Sequence, residues 1–297
     1  MKFEKSHANL LEVANLIRKT SMMARHKLHS CVINFLQKMD IFYNTSQENR
    51  VFNTLCAVLI LIFSPVILTN AQADNITIDQ KVIKRDFMRV VMSAEYGGNS
   101  KFGRSVKKYD STVRFAIINH SKLDRRQAIK GFVWSLPTKI AGLKASVVSN
   151  PQQANFRIHV VDKDQYADVI RNEIYGGARK PVRGKCFVRV LASKNANSIG
   201  STDVVIRSDD GERLFQRCMV EQILQGLGPL ADRGNKNFSI FNTASQHSSF
   251  TVHDQVLMNI LYDPRIKPGM SKSQVAKILP TVMHDCLKRL NLIEPQS

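Results

Sequence analysis

The sequence predicts an α+β fold in which a mixed sheet packs against helices and the C-terminal part is helical. Strand-like and helix-like segments alternate early in the chain, helix-like segments dominate from residue 211 onward, and 43% of the residues are hydrophobic, enough to fill a core. No internal repeat, heptad pattern or Pro/Gly-rich linker divides residues 74–297. We therefore expect a single domain in that part of the chain.

The predicted strands are short runs rich in β-branched and aromatic residues. In chain order they cover residues 113–118, 156–161, 186–191 and 203–206. Helices are predicted where apolar residues recur every three or four positions, as Ile83, Phe87 and Val90 do. They cover residues 79–94, 124–136, 164–174, 211–227 and 271–290, and another begins at His253 behind a Thr251 N-cap. We expect Pro280 to kink or split the last helix.

An apolar run near the N-terminus predicts export. Residues 55–68 have the length of a signal-peptide core, and Arg50 precedes them. The following Ala71-Gln72-Ala73 is a small-x-small cleavage signal, so we expect cleavage between Ala73 and Asp74 and release to the periplasm or cell envelope.

Two alternatives stay open for the segments before Asp74. Residues 51–73 are either a cleaved signal peptide or an uncleaved anchor. In the second case residues 51–68 would tether the protein to the inner membrane, although a membrane span ordinarily needs about 20 apolar residues. Residues 1–50 are either a leader or the result of a start assigned too far upstream.

The charge of the chain bears on its partners. The formal net charge is +19, and it is still +15 from Asp74 onward. Such an excess is typical of proteins that bind nucleic acid or another anionic partner. Because export excludes most nucleic acid, we expect an anionic envelope polymer, a lipid surface or an envelope protein. General solubility is the alternative explanation of the charge.

The helix predicted over residues 211–227 carries an unusual polar stripe. On an ideal helix Leu214, Cys218, Glu221, Gln225 and Gly228 share one narrow face. The stripe is either the solvated edge of an amphipathic helix or a buried set of polar groups, which would then need hydrogen-bond partners or shifted pKa values.

The spacing of this stripe follows the H-E-x-x-H-x-x-G frame of zincin metallopeptidases. Glu221 and Gln225 stand at the two histidine positions, Gln222 at the catalytic acid and Gly228 at the glycine. An amide cannot take a proton from water, so the standard mechanism lacks its base. We therefore assign no catalytic residue and no cofactor, and keep Glu221 and Gln225 as catalytic candidates.

Asp232 adds a third oxygen ligand to a candidate metal set. Together Glu221, Gln225 and Asp232 would suit Ca²⁺ or Mg²⁺ better than Zn²⁺. A divalent metal at these residues is the alternative to the expected absence of a cofactor. In the other interpretation, Asp232 caps or stabilises the turn after the helix.

The residues that carry a family resemblance are Cys186, Cys218, Glu221, Gln225, Gly228, Asp232, Ser239, Asn242, Asp254 and the segment 261–270. In this combination the chain resembles an exported proteobacterial family, domain-of-unknown-function family 2927. The resemblance implies a zincin-like fold in the envelope with no established activity, and a disulfide between Cys186 and Cys218. It is strong over residues 184–270. The family pattern has a second acid where this chain has Gln222.

Other residues with reactive side chains fit ordinary structural roles. We expect Asp254 to cap its helix, His247 to be solvated, and Cys286 to be a buried small side chain rather than a nucleophile. Three further histidines are scattered without ligand spacing, namely His120, His159 and His284. A basic cluster contains Lys101, Arg104, Lys107 and Lys108, and it is either an anion-contact patch or a solvated loop.

These observations together predict an exported, non-catalytic zincin-like module that binds or supports a partner in the envelope. The alternative is an atypical metal-dependent hydrolase built on the helix with Glu221 and Gln225. The two differ in which substitutions matter: a hydrolase depends on Glu221, whereas a binding module depends on surface Lys and Arg residues.

Overall fold

The computed structural model of the protein describes residues 79–93, 100–235 and 237–293. The predicted leader, the segment 51–73 and the Ala73-Asp74 cleavage site lie outside the described residues. Within the described ranges, none of the helices is long and apolar enough to cross a membrane.

The centre of the fold is a mixed sheet of five strands in the order β2-β1-β3-β5-β4. The strands are β1 (Val113–Asn119), β2 (Ala145–Val147), β3 (Phe156–Val161), β4 (Cys186–Ala192) and β5 (Ile199–Arg207). Neighbouring strands pair in parallel, except that β4 runs antiparallel to β5 at one edge. The predicted mixed sheet is confirmed, and the four predicted strands all form.

Six α-helices surround the sheet in the described residues. They are α1 (Gln80–Val90), α2 (Arg126–Lys139), α3 (Tyr166–Val169), α4 (Glu212–Gly226), α5 (Val252–Tyr262) and α6 (Lys272–Arg289). A π-helical turn, Ile170–Ile174, continues α3. Side chains cap three of the helices: Asp79 caps α1, Thr251 caps α5, and Ser271 forms a capping box with Gln274 on α6. The predicted α+β class is confirmed.

Two expectations about local structure differ from the fold. Sequence analysis missed β2, which has three residues and is held by its pairing with β1 rather than by its own pattern. Pro280 does not split α6, which runs from Lys272 to Arg289. Pro280 is exposed, so water can reach the carbonyl that its missing N–H would have bound.

The two faces of the sheet have different chemistry because successive side chains alternate in direction. One face carries Phe156, Ile158 and Val160 of β3 into the main hydrophobic core, to which α1, α2, α4, α5 and α6 all contribute. The other face carries Arg157 and His159 and is covered by the segment of α3 and the π-helical turn.

Half of the basic cluster before β1 is buried: Lys101 and Arg104 are exposed, whereas both interpretations are wrong for the buried Lys107 and Lys108. Lys107 Nζ donates to the carbonyls of Val91, Gly103 and Ser105 at 2.8, 3.3 and 3.0 Å. Lys108 Nζ donates to two carbonyls at the end of α5. Both ammonium groups act as internal donors that hold loop carbonyls together.

Burial gives these two lysines a predictable effect on stability. It lowers the pKa of Lys107 and of Lys108 from 10.5 to about 8. Between these values the unfolded chain binds more protons, so the free energy of unfolding should rise with pH. Between pH 7.5 and 9 each lysine should add about 1 kcal/mol. Denaturant titrations measure the rise in the free energy of unfolding across this pH range. Relative to the wild-type protein, the rise should be smaller in Lys107→Met and the same in the exposed Lys101→Met. Equal slopes in all three proteins would contradict the prediction.

Candidate functional site

The second half of α4, which carries the zincin-like spacing, is buried on every side. Each residue from Cys218 to Gly226 is buried, and Glu221, Gln222 and Gln225 expose only 5%, 8% and 6% of their surface. The interpretation of this stripe as a solvated helix edge is therefore wrong. Because a buried polar group without a partner costs about 1–3 kcal/mol, the partners of these side chains decide what the site can do.

Two glycines let the end of α4 approach its neighbours. A Cβ on Gly226 would lie 2.5 Å from the ring of Phe156 and 2.7 Å from the methyl group of Thr202, so the helix packs this close to the sheet only with glycine. Gly228 has a φ of 144°, and a Cβ there would overlap the carbonyl oxygen of Lys107. Both glycines are therefore explained by packing.

Arg217 is a cation beside Glu221 that sequence analysis did not single out. Its Nε lies 3.2 Å from one carboxylate oxygen of Glu221, and its Nη2 lies 3.3 Å from the other. The same guanidinium donates to the carbonyls of Asn242, Ser245 and His247. One arginine thus joins the Glu221 carboxylate to the loop that follows α4. The i, i+4 spacing of the pair was the available signal.

Gln225 and Asp232 lie together, as the oxygen-ligand set requires, but their contact is a hydrogen bond. Gln225 Nε2 donates to Asp232 Oδ1. The amide therefore presents its N–H groups, not its oxygen, to the carboxylate. This contact fits the interpretation of Asp232 as a residue that stabilises the turn after α4.

The buried Asp254 carboxylate organises the loop between α4 and α5. It accepts hydrogen bonds from Ser239 Oγ at 2.6 Å, the Ile240 amide at 2.9 Å and Thr251 Oγ1 at 2.7 Å. Burial raises the pKa of Asp254. The predicted Thr251 N-cap is confirmed, since its side chain accepts from the Asp254 amide. The contacts of Ser239 and Asp254 thus hold the loop in place.

Other residues with reactive side chains also lie against protein groups. His253 Nε2 lies 3.1 Å from Asp86 Oδ2 on α1. His247 is half-buried and its Nε2 lies 2.9 Å from the carbonyl of Asn237, so it is not simply solvated. Cys286 is buried, and burial raises the pKa of its thiol to about 11. That thiol stays protonated at neutral pH, as expected of a structural cysteine.

A disulfide joins Cys186, the first residue of β4, to Cys218 in the middle of α4. The two Cα atoms are 5.7 Å apart, within the ordinary range for such a bond. The pairing implied by the family resemblance is therefore confirmed. It fastens the motif helix to the antiparallel edge strand.

Sequence analysis missed a second polar cluster, on the opposite face of the sheet. Parallel pairing of β1 with β3 brings His120 beside His159, and the π-helical turn adds Glu173. The description of these two histidines as scattered is wrong. Burial lowers the pKa of His159 to about 4, so its ring is neutral at pH 7. Pairing of separate strands is not visible in residue spacing, so no local signal could have found the cluster.

The disulfide should supply a large share of the stability of the motif helix. Bonding residues 32 positions apart is expected to contribute about 3–4 kcal/mol by restricting the unfolded chain. Cys186→Ser should lower the free energy of unfolding by this amount, measured by denaturant titration. Reductant should destabilise the wild-type protein and Cys286→Ser but leave Cys186→Ser unchanged. Equal sensitivity of Cys186→Ser to reductant would refute the assignment.

The Arg217–Glu221 pair should behave as a buried ion pair. Arg217→Met leaves a buried carboxylate short of its cation and should cost about 3–5 kcal/mol. In a double-mutant cycle with Glu221→Gln, the coupling energy should exceed about 1 kcal/mol. The exposed Arg171–Asp168 pair is the matched control and should couple by less than about 1 kcal/mol. Similar coupling energies for the two pairs would argue against a buried pair.

Comparison with known proteins places the chain in a family. A search of curated proteins finds no match. The family model described as "Protein of unknown function (DUF2927)" matches residues 80–281. The match spans the sheet, the motif helix, the loop organised by Asp254 and the first half of α6. The chain therefore belongs to the DUF2927 family.

Proposed function

We propose that the protein is an exported, non-catalytic zincin-like module that binds an anionic partner in the cell envelope. One observation carries the proposal: polar side chains of the motif helix are bonded to other side chains of the same protein. Glu221 is ion-paired with Arg217, and Gln225 is hydrogen-bonded to Asp232. At the catalytic-acid position Gln222 has no proton-accepting group of suitable basicity.

The zincin-like part of the proposal is supported by the place of the motif helix. Helix α4 packs against β5 and the antiparallel edge strand β4 of a sheet that is otherwise parallel. The same helix carries the spacing of the zincin frame, with Glu221 and Gln225 at the two histidine positions and Gly228 at the glycine. The disulfide from Cys186 to Cys218 holds α4 in this position.

Export is supported by sequence and by cysteine chemistry. The apolar residues 55–68 and the Ala71-Gln72-Ala73 signal precede the domain. Disulfides persist in oxidising compartments such as the periplasm, and the domain contains one. An inner-membrane tether through residues 51–68 is compatible with the same location.

The surface best suited to an anionic partner is the basic loop, which we define as residues 176–185. It contains Arg179, Lys180, Arg183 and Lys185 and no acidic residue, and all four cations are exposed. Four cations in ten residues give a high local charge density for phosphate groups of a lipid or polymer. The loop directly precedes Cys186, so the disulfide fixes one of its ends beside α4.

Vesicle binding by the full chain tests this function. Binding should be stronger to vesicles containing phosphatidylglycerol than to phosphatidylcholine vesicles, which report association through the apolar segment alone. Changing all four loop cations to Gln should weaken binding at least tenfold, since each contributes about 1 kcal/mol near an anionic surface. Added salt should weaken the wild-type binding as well.

Two control variants give the result its meaning. The first control removes the same charge elsewhere on the surface and should cost less affinity than the loop variant. It changes four exposed lysines to Gln, namely Lys139, Lys144, Lys163 and Lys277. Glu221→Ala should alter stability without altering binding. Binding to polyphosphate but not to the lipid would identify a polymer partner. Binding to neither, or a folded Glu221→Ala protein that loses binding, would count against the proposal and favour a function centred on α4.

A further inference from the structure

We propose that His120, His159 and Glu173 form a binding site for a zinc ion, with a fourth coordination position open to solvent. The site lies on the face of the sheet opposite α4. It shares no residue with the motif helix or the basic loop, so it stands independently of the proposed function. Among the described residues, these three form the group with the ligand atoms of a metal site within 4.8 Å of one another.

The three ligand atoms form a nearly equilateral triangle. His120 Nε2 lies 3.3 Å from His159 Nδ1, and Glu173 Oε2 lies 3.6 and 3.4 Å from these two nitrogens. A tetrahedral zinc ion with bonds of about 2.0–2.1 Å needs ligand atoms about 3.3–3.4 Å apart. Three ligands on one face of an octahedral ion with bonds of about 2.1–2.2 Å lie only about 3.0 Å apart. The triangle therefore fits tetrahedral coordination better than octahedral coordination.

Hydrogen bonding accounts for only one side of this triangle, the 3.3 Å contact between His120 Nε2 and His159 Nδ1. The distances from Glu173 to the two imidazoles exceed the usual 2.7–3.2 Å range of N–H···O hydrogen bonds. The rings are stacked, with centroids 5.6 Å apart and an angle of 10° between their planes. Both imidazoles thus turn a nitrogen toward the same carboxylate oxygen, at the spacing that a bound cation would set.

The backbone fixes each ligand before a metal arrives. His159 lies within β3, and the amide of His120 donates to the Val160 carbonyl at 2.8 Å. After His120, the side chain of Ser121 and the amide of Lys122 both donate to the Asp162 carboxylate. These contacts hold in one arrangement the imidazole of His159 on β3 and that of His120, which directly follows the neighbouring strand β1.

Glu173 is fixed from the other side of the site. It lies in the π-helical turn Ile170–Ile174, and such turns frequently occur at functional sites. Arg189 of β4 donates to the carbonyl of Ile174 and so fastens the end of the turn to the sheet. Ligands held by strands and an anchored turn are suited to a site of defined geometry.

The surroundings permit a cation at this point. Arg157 and Arg189 are close to the site, but both are paired with the buried Asp203 carboxylate at 2.7 and 3.0 Å. The Glu173 carboxylate supplies a negative charge, which an imidazole ligand does not bring to a metal ion. His159 is buried, whereas Glu173 is 42% exposed, so a water or small anion can reach the fourth position. Two histidines and one glutamate are a known protein ligand set for zinc sites that keep an open position.

Zinc titration of the full chain tests the site. The protein is stripped with a chelator, and Zn²⁺ binding is measured in competition with a chromophoric chelator. The wild-type protein should bind one equivalent more than His120→Ala or Glu173→Gln. Each variant should lose affinity at that equivalent by more than the roughly 10–100-fold that loss of a supporting residue costs. Cobalt(II) should give the visible spectrum of a four-coordinate ion in the wild-type protein alone.

Matched controls separate this site from others in the chain. Three control variants should each keep the full zinc stoichiometry. His284→Ala removes a histidine outside the cluster, Asp168→Asn removes a nearby carboxylate, and Glu221→Ala removes the carboxylate of the motif helix. Histidines and cysteines before residue 74 are present in every protein and cancel in the comparison. Circular dichroism in the presence of chelator confirms that each variant is folded.

The outcomes decide the proposal in either direction. Loss of the same equivalent in folded His120→Ala and Glu173→Gln supports the site, as does a zinc-dependent rise in Tm confined to proteins with an intact cluster. Equal stoichiometry and affinity in the wild type and both variants would overturn it, as would loss of the equivalent in Glu221→Ala instead.

Discussion

The burial of the second half of α4 is the constraint on which the rest of this domain depends. A helix buried on all sides with Glu221, Gln222 and Gln225 along it is stable only if the protein itself supplies partners. Arg217 and Asp232 supply two of them, and the loop carrying Asn242 and Ser245 is positioned by the same guanidinium. The polar residues of α4 that resemble a catalytic motif are therefore also the residues that position the loop after α4.

The close approach of α4 to the sheet extends this constraint to the other elements. Gly226 lets the helix contact Phe156 and Thr202, and Thr202 Oγ1 in turn donates to the Gly226 carbonyl at 3.0 Å. Gly228 turns the chain past the carbonyl of Lys107. The buried ammonium of Lys107 donates hydrogen bonds to carbonyls of the loop that leads into β1. Helix, sheet and the segment before the sheet therefore meet at one densely packed point.

The sequence was informative where local patterns decide the structure and silent where pairing of distant segments decides it. Helix α4, strand β3 and the Thr251 cap follow from spacing and capping chemistry that a few neighbouring residues contain. Burial of Lys107 does not follow, because a lysine in a basic run looks solvated until its acceptor carbonyls are placed around it. The Cys186–Cys218 bond came from family resemblance, since residue spacing alone left three cysteines to choose from.

What separates the two polar clusters is the kind of atom that neighbours present. Around the Glu221 carboxylate the structure places the N–H groups of Arg217, and toward Asp232 it turns the N–H group of Gln225. The guanidinium neutralises the Glu221 carboxylate, and the Gln225 amide satisfies one oxygen of Asp232. In the cluster of His120, His159 and Glu173 the neighbours are nitrogen and oxygen atoms that can offer lone pairs. Residue spacing on one helix therefore gives only candidate ligands, because the surrounding fold decides whether donors or lone pairs converge on the same point.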